Sequence, residues 1–210
     1  MKGDDLFRLD ETLARLVPYL KATPFALTGG IAVEYHFILA KRTPSREHIG
    51  DLDLVVGRLD ALDPAVTSEF LVSHFHVPGP DGKALVQLVD PRTRLRIDLF
   101  PDTEGAIEHA TRLAIGRTGL LILSTRSILE AKLRLIRKST PASPVDPKHW
   151  HDAKALAEIG RIAIPPLRPA LAPQTYSTDL ASRCTRCERS RAAAFPLAPK
   201  SEILELLGYV

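Results

Sequence analysis

Apolar residues recur along the chain in two rhythms, and the switches between them mark out the elements. Leu6, Leu9, Leu13, Leu16 and Leu20 follow one another at three- and four-residue steps, which predicts a helix over 4–21 with one apolar stripe. Pro18 should kink or shorten its last turn. Phe25-Ala26-Leu27-Thr28 reads as a short strand, Gly29-Gly30 as a turn, and 31–39 as a helix. The period then becomes two: Leu52, Leu54 and Val56 alternate with Asp51 and Asp53 in a strand over 51–56. Asp63-Pro64 opens an expected helix over 64–74. Residues 84–89 and 94–100 read as a hairpin, joined through Asp90-Pro91-Arg92-Thr93, followed by a helix over 103–113 and a buried strand over 120–123. Two helices, 126–138 and 147–159, complete the patterned part, the first capped by Ser124 or Thr125. Strands and helices alternate early and helices dominate after 124, so the fold class expected is α+β with a helical C-terminal half. The boundaries expected are a core over 1–124, a helical part over 125–163 and a Pro-rich, Cys-x-x-Cys-containing tail over 164–210, extended like an arm, with a last short helix at 201–207.

The polar positions inside these elements carry the candidate chemistry. Asp51 and Asp53 must point to one face of their strand, where two carboxylates repel each other. A hard divalent cation reverses that cost, and Mg²⁺ favours one or two carboxylates plus substrate phosphates. Asp98 stands in a similar strand, with Leu95, Ile97 and Leu99 on the opposite face. Gly29-Gly30 would let a ligand approach the backbone where a helix N-terminus offers free N–H groups to an anion. Each feature has a plain structural reading: a solvated strand-end carboxylate, an ordinary turn. Their joint order is harder to obtain by chance and points to phosphoryl-type chemistry with bound metal. Other candidates read more plainly. Arg42 and Arg46 could steer a triphosphate or, the plainer reading for either one singly, solvate the polar loop 41–50, and His74 and His76, which would share a strand face, are too few for a zinc site. Lys148 and Asp152 have the spacing of a surface i,i+4 ion pair.

Composition narrows the class without naming it. The chain has 210 residues, 45% apolar and 25% charged, which supports a real core in one domain with an appendage. A net charge of +3 does not demand nucleic acid. No apolar run approaches the ~20 residues that span a bilayer. The acidic, amphipathic N-terminus is unlike a signal peptide, so no membrane partner and a cytoplasmic location are expected. Cys184 and Cys187 are too few for a disulfide framework. They are half a Zn²⁺ site that His149 and His151 could complete, or a pair of free thiols, the reading that the missing ligands favour. The neighbouring Arg183, Arg186, Arg189 and Arg191 could contact RNA phosphates or simply keep the arm soluble.

Taken together, Thr28-Gly29-Gly30, Asp51-Leu52-Asp53 and Asp98 resemble the nucleotidyltransferase superfamily, the polymerase-β-like fold. Ser124 to Leu133 is similar to the strand-exit helix of its small bacterial members, which include abortive-infection toxins and aminoglycoside nucleotidyltransferases. Lys148-His149-Trp150-His151-Asp152 looks like their Lys-Asp-x-x-Asp helix, with His149 in place of the first acid. The resemblance covers residues 20–160 and implies a mixed β-sheet. It implies two Mg²⁺ ions held by Asp51, Asp53 and Asp98, with Asp98 also helping to deprotonate an acceptor hydroxyl. Thr28, Gly29, Gly30, Lys132 and Asp152 would bind the nucleotide. The implied reaction moves a nucleoside monophosphate from a nucleoside triphosphate to an RNA 3′ end, a protein or a small molecule. A toxin-type member would have an antitoxin protein as partner. The alternative is an inactive nucleotide- or RNA-binding protein on the same fold. Two departures stand out: Ile31 occupies a position often held by a phosphate-touching Ser or Thr, and the gap from Gly30 to Asp51 is longer than usual.

Overall fold

The inward stripe of the first helix, α1 (Gly3–Leu16), runs through Asp5, Leu9, Thr12, Leu13 and Leu16, all buried. Leu6 falls off that stripe and is 40% exposed, because Asp5, one turn before Leu9, takes the inward place. The helix ends where Pro18 starts a 3₁₀ turn, Val17–Leu20, as the proline requires. This arrangement comes from a computed structural model that describes residues 3–46, 48–76, 84–115, 118–138 and 146–165. The expectations for Cys184, Cys187, the arginines around them and the helix at 201–207 lie outside the described residues.

A seven-stranded mixed sheet forms the core. Its strands are β1 (Phe25–Leu27), β2 (Asp51–Val56), β3 (Leu71–His76), β4 (Leu85–Val89), β5 (Arg96–Pro101), β6 (Thr111–Ile115) and β7 (Thr118–Ile122). They lie in the order β3-β4-β5-β2-β1-β7-β6. The pairs β2/β5 and β1/β7 are parallel and the others antiparallel. Leu52, Leu54 and Val56 of β2 and Ile97 and Leu99 of β5 are buried in the core. Helix α2 (Gly29–Leu39) follows β1 directly, so the two glycines form its first turn. Helices α3 (Thr125–Arg137) and α4 (Pro147–Gly160) pack on each other and on α2. Ser124 caps α3 by accepting the Ser127 N–H at 3.1 Å, and Asp146 caps α4 by accepting from Lys148 at 2.9 Å. The α+β class with helices after the sheet is therefore as the pattern predicts.

Two expected helices are something else. Over 64–74 there is a 3₁₀ turn, Pro64–Ser68, and then strand β3. Asp63 caps only the short turn, Phe70 is buried behind it, and the chain extends to pair with β4. Over 103–113 Asp102 gathers the Ala106 and Ile107 N–H groups at 2.9 Å each into another 3₁₀ turn, Ala106–His109. The chain then leaves as β6, antiparallel to β7. In both places the strand partner outweighs local helical pattern. No helix among the described residues is long and apolar enough to cross a membrane.

Candidate functional site

Strand register builds the centre of the site. In the parallel pair β2/β5, Asp53 lies opposite Asp98 and Asp51 opposite Arg96. Residues two apart share a face, and so do residues in register. Asp51, Asp53 and Asp98 therefore converge, with one carboxylate oxygen of each within 4.8 Å of the others.

The diglycine turn closes over Asp53. Gly29 has φ +66°, and a Cβ there would sit 1.8 Å from Asp53 Oδ2. Only glycine allows that approach and that backbone together. The Gly30 N–H donates to the Asp53 carboxylate at the start of α2, and the Thr28 N–H donates to the Asp53 carbonyl at 2.9 Å. Thr28 is the extended residue preceding the helix and makes no side-chain cap. Ile31 is buried at 4% exposure, part of the core instead of the site.

Electrostatics at Asp53 are unfavourable for charge. Burial first, then the neighbouring Asp51 and Asp98, push its carboxyl up to about 7, against the opposing pull of Lys132 and the Gly30 N–H. Burial also raises Asp98, opposed chiefly by Gln87, whose Nε2 donates to Asp98 Oδ1 at 2.8 Å. Ser73 Oγ donates to Gln87 Oε1 at 2.9 Å, which fixes the amide the right way round. Arg96 pairs with Asp51 and lies 3.5 Å from Asp98 Oδ2. Three hard oxygen donors crowded enough to favour a proton on one of them form a set suited to a divalent cation. The Asp51, Asp53 and Asp98 cluster is consistent with divalent-metal binding.

Behind the turn lies a second polar cluster. Lys132 of α3 is buried and pairs with Asp152 of α4 at 2.9 Å, and its Nζ lies 3.2 Å from His149 Nδ1. Burial, then Lys132 and Lys148, hold the His149 imidazole below its usual range, so it is a neutral acceptor for the ammonium. Asp152 is buried and also accepts both Nη2 bonds of Arg46 at 2.8 Å. The surface pairing expected for Lys148 and Asp152 is thus replaced: Lys148 pairs with Asp146 at 3.4 Å. Arg46, expected to solvate its loop, instead bonds Glu34 at 2.7 Å and the Gly30 carbonyl at 3.1 Å. Arg42 does lie on the surface, bonded to Glu158 at 2.9 Å. The sequence-predicted residues thus fall in two neighbouring sets, the three acids with the turn and the Lys132–Asp152 pair behind it.

Gln87 and Glu34 escaped the sequence reading, and Arg46 was named there without its partners. For Gln87 a signal existed, since the hairpin over 84–100 sets Gln87 opposite Asp98. For Arg46 none did, because its partner Asp152 is 106 residues away.

No family model and no curated protein matches the chain. Among solved structures, the antibiotic-resistance factor ANT(2'')-Ia is similar at 16% identity, over 75% of this chain and 85% of that one, with a TM-score of 0.53. An antigenic nucleotidyltransferase-like protein from Paracoccidioides brasiliensis matches over 100% of this chain and 94% of its own at 17% identity and TM-score 0.46. A Megavirus polyadenylate synthase matches over 77% and 34% at 9% identity and TM-score 0.49. Of these three the first exceeds 0.5, and the fold is read from it: the chain shares the fold of that resistance factor.

Proposed function

We propose that this chain is a nucleotidyltransferase that moves a nucleoside monophosphate from a nucleoside triphosphate to an acceptor hydroxyl. The observation that carries the reading is the convergence of Asp51, Asp53 and Asp98 beneath the Gly29–Gly30 turn. In this reading the three carboxylates hold Mg²⁺, two ions in the full complex. Bound there, the ions supply charge neutralisation for the transferring phosphate and its pyrophosphate leaving group. Asp98 accepts the proton of the acceptor hydroxyl as its oxygen attacks the α-phosphorus and the bond to the β-phosphate bridge breaks. The Gly29–Gly30 turn lets the phosphates lie against backbone N–H groups. Lys132 and Asp152 belong to the helical half, 125–163, that faces the core over 1–124.

The acceptor is an RNA 3′ end, a protein side chain or a small molecule. The likeness to an antibiotic-resistance factor supports a small-molecule acceptor, and the helical second half also suits a toxin-like role with an antitoxin partner. A second reading is nucleotide or RNA binding without turnover, and Ile31, buried where a phosphate-touching hydroxyl is often found, favours it. The test is transfer of α-³²P label from each nucleoside triphosphate, with Mg²⁺, into RNA, protein and small-molecule fractions. Label that appears with the native chain and vanishes with Asp51→Ala/Asp53→Ala supports transfer and names the nucleotide. Nucleotide binding without label in any fraction supports the second reading.

A further inference from the structure

Ser45 and Arg46 lie against the helix that the diglycine turn opens, and Arg46 bonds three residues. Arg46 Nη1 donates to Glu34 Oε1 at 2.7 Å and to the Gly30 carbonyl at 3.1 Å. Its Nη2 donates to both oxygens of Asp152 at 2.8 Å. Glu34, 1% exposed, also accepts the Ser45 N–H and Oγ–H at 2.7 Å each, so one carboxylate holds both Ser45 and the guanidinium. Asp152 Oδ2 takes Lys132 Nζ at 2.9 Å. Even the diglycine belongs to this contact: a Cβ on Gly30 would lie 3.2 Å from Arg46 Nε. Burying two carboxylates this fully is costly unless they are paired with good geometry. Arg46 supplies the planar fork that meets three acceptors on two helices at once, which an ammonium cannot do.

Resting on the nucleotidyltransferase reading, we propose that Arg46 is a positioning residue for nucleotide binding: anchored on the Gly30 carbonyl, it acts through Asp152 to aim Lys132 at the triphosphate. The long gap between Gly30 and Asp51 then has a use, since its residues 45 and 46 deliver these contacts. So does the buried Ile31. With no hydroxyl at that position, the turn is held through its carbonyl by the loop.

The experiment is a double-mutant cycle on the full chain, read as Kd for a non-hydrolysable ATP or GTP analogue with Mg²⁺ by calorimetry. Arg46→Ala and Lys132→Ala are compared singly and together, with thermal melting of each. The proposal expects Arg46→Ala to weaken the analogue at least tenfold, Arg46→Lys to recover only part, and the double variant to bind no more weakly than Lys132→Ala by more than threefold. Losses that multiply would overturn it, since Arg46 would then act independently of Lys132. Unchanged affinity in Arg46→Ala, with the native chain binding, would also overturn it while leaving the nucleotidyltransferase reading intact. If Arg46→Ala does not fold, Asp152→Asn takes its place in the cycle with the same expectations. A native chain that binds neither analogue overturns the reading itself, and the inference with it.

Discussion

Asp53 is where the energetic tension of the molecule concentrates. Its carboxyl, raised to about 7 chiefly by burial and then by two like-charged neighbours, keeps a proton that the unfolded chain has lost. A raised folded-state value for a carboxylate means that stability is greatest below the unfolded value near 4 and is lost as pH rises toward 7. His36 and His149 act with the opposite sign: burial holds both below their usual range, so stability is lost as pH falls through the unfolded histidine value near 6.5. The lowered Asp90 and Asp146 change protonation below about pH 4 and leave this window alone. Asp98, raised by burial as well, acts with the sign of Asp53 and is present in both proteins compared, so the contribution of Asp53 emerges by difference. The unfolding free energy of metal-free protein, from urea titrations between pH 5 and 8, should fall more steeply for the native chain than for Asp53→Asn, by a few kcal/mol over the window. Adding Mg²⁺ at pH 8 should return part of that loss to the native chain only. Parallel slopes for the two proteins would show that Asp53 carries no such shift.

Gly29 makes a second prediction at this scale. A side chain there meets both a left-handed backbone and the Asp53 carboxylate. Gly29→Ala should lose more than the ~1–2 kcal/mol that the backbone alone costs, read as a drop in melting temperature. A loss no larger than that of a surface substitution would mean that Asp53 does not pack under the turn. These residues were legible in the sequence for a simple reason. Alternation fixes Asp51 and Asp53 to one face, and a diglycine before a helix advertises a close approach. The raised carboxyl was not legible, because it depends on how deeply the β2/β5 pair is buried.

Among elements, the cap of α3 carries the third prediction. Ser124 accepts the Ser127 N–H at the point where β7 hands over to the helix that holds Lys132. Ser124→Ala should cost about 1 kcal/mol in global stability, measured by urea unfolding. An unchanged midpoint would mean that the Ser127 N–H finds another acceptor. The helices α1, α2, α3 and α4 could be read from period and caps because both signals are local. Strand β6 could not, and of β3 only the end at His74 and His76 could. Each follows a 3₁₀ turn whose residues suit a helix, and each becomes a strand only because β4 or β7 offers it an antiparallel partner. The hairpin β4/β5 was readable, and its register is what brings Gln87 to Asp98.

For the whole molecule, the candidate site depends on contacts that join distant parts of the chain. Parallel pairing of β2 with β5 brings Asp98 to Asp53. Packing of α3 and α4 on α2 puts Lys132 and Asp152 behind the turn, and residues 45 and 46 of the loop fasten α2 to α4. Sequence pattern hinted at the first of these through two similar Asp-bearing strands. The third rests on side chains that look like ordinary solvated charges until the helices are docked, which is why Glu34 went unread and Arg46 was read as a solvated charge. All three depend on the sheet order, so the site is as much a property of topology as of its acids.

The most direct test of this account is divalent-metal binding at the three carboxylates, which needs no knowledge of the acceptor. Free Mn²⁺ can be followed by its EPR signal while protein is titrated at pH 8, where Asp53 is ionised, using the native chain and the single variants Asp51→Asn, Asp53→Asn and Asp98→Asn. The account predicts one or two bound Mn²⁺ per native chain, displaced by excess Mg²⁺, and at least tenfold weaker binding in each variant. A native chain that binds no Mn²⁺, or variants that bind it as tightly as the native chain, would contradict the claim that these carboxylates form one metal site.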